Sequence, residues 1–223
     1  MTRRRWLSVV AALLVLAGCL GWLVFYSSAL QVEAIEVRGA QLLSSETVED
    51  VLAIPEGTPL ARVDLAAAET ALENISQIES ARVSRDWPST LVVQVTERSA
   101  VAAVDVSGAT WLVDRSGVLF AQVSVLPEGV VALQVERAGP NDLATQAGLE
   151  VIAALSPAVR TILVVVSAPS MTQIELELTD GRTVIWGGPD GSARKSAILS
   201  GLLAGGVVGT VYDVSSPTSA VVR

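Results

Sequence analysis

The sequence has no histidine, one cysteine (Cys19) and one lysine (Lys195). Without histidine, the commonest general base and the commonest metal ligand are missing. Without a second cysteine there is no intrachain disulfide, so the folded parts must hold together by burial. The single lysine leaves no Lys-Thr-Gly element, which penicillin-binding chemistry needs beside its Ser-x-x-Lys motif. Charge is missing too: none falls between Arg5 and Glu33. Beyond residue 26 the balance is 12 basic to 23 acidic residues, a net −11. That is a poor surface for nucleic acid or anionic lipid, which both need a basic patch. It favours solubility instead.

What fills the uncharged stretch is apolar. Residues 6–26 supply the roughly 20 residues a helix needs to cross a bilayer core, and no other segment does. Arg3, Arg4 and Arg5 precede it, so the positive-inside rule makes residues 1–5 a cytoplasmic tail. Everything after the helix then faces outward. Trp6 at one end and Trp22, Phe25 and Tyr26 at the other suit the two membrane interfaces. A second reading starts from Leu16-Ala17-Gly18-Cys19, which looks like a lipobox. Cleavage there would give a lipid-anchored extracytoplasmic binding protein. Against it, residues 20–26 continue the apolar run where a polar tether would be expected.

Residues 27–31 read as a joint. Ile35 and Val37 alternate with Glu36 and Arg38, the period of a half-buried strand. Ser44 or Ser45 caps a first helix with Val48, Val51 and Leu52 inward, ended by Pro55-Glu56-Gly57. Asp64 caps a second, with Leu65, Ala68, Leu72 and Ile75 inward. Strands over 78–85 and 90–97 follow, Leu91, Val93 and Val95 facing in. From Ser99 the pattern changes. A hairpin spans 111–120 around Asp114-Arg115-Ser116-Gly117. Residues 126–129 break the chain, and a helix covers 141–155. Residues 161–166 form a continuous apolar run, read as a strand with both faces covered. Residues 174–178 alternate, and Asp180-Gly181 makes a hairpin turn to Trp186. A helix over 192–203 precedes a last strand over 210–215. The fold class is α+β. Residues 30–98 form a β-α-α-β-β unit, residues 99–216 a mostly antiparallel β-domain with two helices, and residues 217–223 a flexible tail.

Several strings that look like chemistry fail. Ser192-Ala193-Arg194-Lys195 matches Ser-x-x-Lys and leaves a membrane-tethered Ser/Lys hydrolase formally open, but a solvated lysine is a poor base. Lys195 reads as such a solvated helix residue. Residues 187–191 are no phosphate loop, since no Gly-Lys pair follows. Residues 205–209 precede a strand, not a helix, so they are no dinucleotide site. Glu175 and Glu177 read as a solvated strand face. No catalytic, cofactor-binding or metal-ligating residue is assigned, and no cofactor is expected.

The β-α-α-β-β unit resembles a POTRA domain, a docking module found outside bacterial membranes. Val37-Arg38-Gly39, Pro55-Glu56-Gly57-Thr58-Pro59-Leu60, Val63-Asp64, residues 81–91 and Val95-Thr96-Glu97-Arg98 resemble the FtsQ/DivIB family of division proteins, in an actinobacterial-like form. Trp111-Leu112-Val113-Asp114, Gly117-Val118-Leu119-Phe120, Leu178-Thr179-Asp180-Gly181 and Tyr212-Asp213-Val214-Ser215-Ser216-Pro217 extend the likeness in order. Ser99-Ala100-Val101-Ala102 departs from it, since many relatives carry proline after Glu-Arg.

The resemblance implies a non-enzymatic scaffold at the division septum, single-pass with its N-terminus inside. It would link early and late division components. Its partners would be the small bitopic proteins FtsB/DivIC and FtsL, which control septal peptidoglycan synthesis. It also implies β-augmentation, a partner strand pairing with the exposed edge of the last strand. The candidate partner-binding residues are Thr210, Val211, Tyr212, Asp213, Val214 and Ser215. Tyr212 is either a packing residue or an interface anchor. Asp213 either caps the following turn or meets a partner.

Overall fold

The structure, a computed structural model, describes residues 3–216 and 218–223. Residues 1, 2 and 217, which belong to the expected cytoplasmic tail and flexible tail, lie outside the described residues. Helix α1 (Arg3–Tyr26) runs unbroken through Cys19. Its Val9–Tyr26 stretch is the one described helix long and apolar enough to cross a membrane. Trp22 and Tyr26 stack near its C-terminal end, ring centres 6.3 Å apart.

The chain divides into two compact units, residues 1–97 and 98–223. Beyond α1, the first unit contains β1 (Ala34–Arg38), α2 (Ser45–Leu52), α3 (Leu65–Glu73), β2 (Ile78–Asp86) and β3 (Thr90–Glu97). Both helices start on side-chain caps: Ser44 accepts from Thr47 N–H at 3.2 Å and Asp64 from Ala67 N–H at 3.1 Å. The sheet order is β1-β3-β2, with β1 parallel and β2 antiparallel to β3. Alternation decides which face is buried: Leu91, Val93 and Val95 of β3 and Ala81 and Val83 of β2 pack against Val48, Leu60 and Leu72. Gly39 follows β1 at φ 84°, and a side chain there would run into the Val95 carbonyl oxygen. Glu97, at the far end of β3, accepts from the N–H groups of Gln41, Leu42 and Leu43, each at 2.9 Å. That carboxylate orders the loop after β1. Partial burial pushes its pKa up, but the three backbone bonds outweigh this and hold it below the ordinary value.

The second unit is one nine-stranded sheet in the order β12-β11-β10-β9-β8-β7-β4-β5-β6. Its strands are β4 (Ala102–Val106), β5 (Ala109–Val113), β6 (Leu119–Val123), β7 (Val131–Gln134), β8 (Leu163–Ser170), β9 (Gln173–Leu178), β10 (Thr183–Gly187), β11 (Val211–Ser216) and β12 (Ser219–Val222). Helices α4 (Leu143–Ala154) and α6 (Ser192–Ala204) pack on one face. Between helices and sheet lies a core that includes Val151, Ile152, Val166, Leu176, Trp186, Leu199, Tyr212 and Val214. Ala103, Leu112 and Phe120 form a smaller cluster. They alternate along β4 and β5 with residues of the main core, so this cluster lies on the other face.

The sheet is mixed but mostly antiparallel. β7 is parallel to β4 and β8, and β10 is parallel to β11. The β10–β11 crossover is α6, as a parallel connection requires.

Four features differ from the sequence reading. Residues 102–106 and 131–134 are strands that the sequence reading did not assign. A short third helix, α5 (Pro157–Thr161), opens with Pro157 at its first turn and Ser156 as cap. The apolar run after it is not covered on both faces: Val166 and Ala168 are buried, whereas Val164 is 45% exposed. Finally, Ser219–Val222 is not a loose tail but the outermost strand, antiparallel to β11. Thr210 N–H donates to the Arg223 carbonyl at 2.7 Å, and Val211 and Arg223 exchange both main-chain bonds at 3.1 and 3.0 Å.

Candidate functional site

The six residues expected to meet a partner lie at the β12 end of the sheet, but not on its open edge. Thr210 precedes β11, and the other five lie in it. β11 is paired on both sides, with β10 and with β12. The last-strand reading is therefore corrected: the free edge belongs to β12. Val221 and Val222 form a short β-branched run beyond Ser215-Ser216-Pro217, and that was the signal available in the sequence.

Side chains of β11 point to two environments. Tyr212 and Val214 are fully buried in the main core. The hydroxyl of Tyr212 donates to the Val207 carbonyl and accepts from Arg182 Nη1 at 3.0 Å. The Arg182 guanidinium stands 5.3 Å from the Tyr212 ring centre and pairs with Asp180 in the β9–β10 turn. The hydrogen bonds that Arg182 donates to the Asp180 carboxylate and the Tyr212 oxygen raise its pKa further. Arg182 in turn holds Asp180 below the usual carboxylate range. Tyr212 is thus a packing residue that ties the end of α6 to the hairpin turn. Val211 and Asp213 are half-buried on the opposite face, and Ser215 is exposed. Asp213 accepts from the Ser215 hydroxyl at 2.7 Å and from its N–H at 3.0 Å, bonds that lower its pKa. Both bonds stay within β11.

Strand β12 offers the open ladder. Val211 and Arg223 form a doubly bonded pair. Alternation then turns the N–H groups of Val222 and Ala220 away from β11 and toward the free edge.

A second buried cluster corrects the reading of Lys195 as solvated. Its side chain is 2% exposed, and its ammonium donates to the carbonyls of Trp186 at 3.0 Å and Gly188 at 2.8 Å. Burial lowers its pKa, partly opposed by the charge of Asp190. Ser192 accepts from Trp186 Nε1 at 3.0 Å and its hydroxyl donates to the Pro189 carbonyl. Both residues of the Ser-x-x-Lys string are thus spent on holding the β10–α6 loop. The cause is helical geometry: residues three apart share one face of α6, and that face packs on the sheet. Among the described residues, no cluster of three or more His, Cys, Asp or Glu could hold a metal ion.

Residues 30–98 match the FtsQ-type POTRA domain model. Over 98% of its length the chain is 39% identical to the cell division protein FtsQ of Streptomyces bingchenggensis, covering 86% of that protein. The chain belongs to the FtsQ family of cell division proteins. It is also 38% identical to FtsQ of Mycobacteroides abscessus and of Mycolicibacterium smegmatis, in both cases over 95% of its length. It spans only 67% and 62% of those longer relatives. Among solved structures, the extracytoplasmic domain of the division protein DivIB from Geobacillus stearothermophilus is 17% identical, with a TM-score of 0.37. That match covers 49% of this chain and 91% of the other, a likeness too slight to carry an argument. FtsQ proteins are division scaffolds not known as enzymes. The POTRA module and the single candidate membrane helix accord with that family.

Proposed function

We propose that this FtsQ-family chain is a septal scaffold that captures small bitopic division proteins of the FtsB/DivIC and FtsL type by strand addition at β12. The observation that carries the reading is the sheet order: β12 ends the sheet, with a neighbour on one side only. Ala220 and Val222 present N–H groups on that side, and main-chain bonds to an incoming strand would supply affinity. Arg3, Arg4 and Arg5 before the apolar helix support an N-terminus in the cytoplasm by the positive-inside rule, with both outer units on the other side. Partners that reach β12 must then cross the membrane themselves. By holding them at the septum, the scaffold links early and late components and so controls septal peptidoglycan synthesis.

The test uses proline. Ala220→Pro and Val222→Pro each remove an outward donor while leaving the bonds from β12 to β11 in place. Both are expected to reduce co-purification of the bitopic partners from cells, with the second unit still folded. Full capture by both folded variants would refute strand addition at this edge.

A further inference from the structure

The POTRA sheet has its own outer strand, β2, and two of its outward N–H groups, those of Ala81 and Val83, are already occupied. Val83 N–H donates to Glu69 Oε1 at 2.8 Å, and Ala81 N–H donates to Glu73 Oε1 at 3.3 Å. Glu69 and Glu73 lie four apart on α3, which packs along β2. Two spacings make the pairing possible. Residues four apart on a helix are about 6 Å apart along its axis. Residues two apart on a strand are about 6.7 Å apart. The helix and strand run in opposite directions, so the earlier carboxylate meets the later amide. Alternate residues of an antiparallel strand face opposite edges, so Arg82 and Ser84 turn their N–H groups to β3 while Ala81 and Val83 turn theirs out. An exposed row of such donors is what another chain pairs with.

We infer that α3 closes the middle of the β2 edge of the POTRA unit, around Ala81 and Val83, to strand addition, with the Glu69 and Glu73 carboxylates standing where a partner strand's carbonyls would bind. The would-be partner here is any extended chain, a second copy included. A charged acceptor makes a stronger bond to an N–H than a carbonyl does. An incoming strand must therefore displace both carboxylates, of which Glu69 holds its amide at the shorter distance. Partners of this POTRA unit use a surface other than the β2 edge. The inference concerns the first unit alone and does not rest on strand addition at β12.

The test is residue-resolved amide exchange on the full chain in detergent, with sedimentation of the same samples. Wild-type Ala81 and Val83 amides should be protected although no strand lies beyond them. In the Glu69→Ala/Glu73→Ala variant these two amides should exchange at least about tenfold faster while Arg82 and Ser84 keep their protection. The Glu69→Gln/Glu73→Gln variant retains both acceptor oxygens and should keep most of the protection. With the edge uncapped, the alanine variant should also pair with a second copy and sediment as a larger species than wild type. Three outcomes overturn the inference. One is unprotected Ala81 and Val83 in wild type, which decides the matter even if the alanine variant does not fold. Another is unchanged exchange in a folded alanine variant. The third is faster exchange with no gain of pairing, because an edge that stays unpaired when uncapped was not being kept closed by the carboxylates.

Discussion

Replacing Tyr212 separates a core residue from an interface anchor. The ring is fully buried against the sheet-and-helix core of the second unit. Truncating a buried aromatic to alanine costs about 3–5 kcal/mol, from lost transfer energy and the cavity left behind. Against a domain stability of about 5–15 kcal/mol, that is a large share. Tyr212→Phe keeps the ring and loses only the hydroxyl. Val207 is exposed, and Arg182 keeps its bond to Asp180. Water can therefore replace the lost partners, and the cost falls to about 0.5–1.5 kcal/mol. The assay is native-state hydrogen exchange at Ile174, Val184 and Val214, core amides that report opening of the second unit. Tyr212→Ala should speed their exchange by roughly 10²–10³-fold or more, since each 1.4 kcal/mol is tenfold. Tyr212→Phe should speed it by about tenfold or less. Partner capture should fail in Tyr212→Ala only in proportion to this loss of stability, and persist in Tyr212→Phe. Unchanged core exchange in Tyr212→Ala, together with lost capture, would refute the packing assignment and restore the anchor.

Two further outcomes concern charge and pH. Glu97 has a folded pKa below its ordinary value of 4.5, so its contribution to the POTRA unit is whole above that value and is lost as pH falls through the lower folded one. Melting of the first unit against pH should show this loss, and Glu97→Gln should flatten it. Lys195 behaves in the opposite sense. Its folded pKa lies below 10.5, so the folded state gives up its proton first. Stability of the second unit should rise as pH climbs from the folded value toward 10.5. Lys195→Met should abolish that rise, read by denaturant unfolding across the alkaline range.

Much of the architecture could be read from local patterns. The apolar run of α1, the helix caps at Ser44 and Asp64 and the strict alternation of β3 each follow from a short stretch of residues. The Asp180-Gly181 turn is likewise local, with Gly181 at φ 81°. What escaped is what depends on distant partners. β4 and β7 pair in parallel across residues 102–103 and 131–132, and neither four- to five-residue segment announces its neighbour. Lys195 is hidden because its charge argues for solvent. Only the fold brings the Trp186 and Gly188 carbonyls to its ammonium. The outermost strand was placed one strand too far inward for the same reason. A four-residue strand is too short to show a period, and its pairing with β11 is visible only in the ladder.

The parallel join of β10 to β11 through α6 has a consequence for assembly of the fold. A parallel pair has no hairpin to nucleate it and must wait for its crossover to dock. β11 can take its register only once β10 and α6 are in place, and β12 takes its register from β11 alone. The proposed docking edge therefore forms only after β10, α6 and β11. A chain with an unfinished core has no edge to offer, so capture at the proposed edge would double as a check that the scaffold has finished folding.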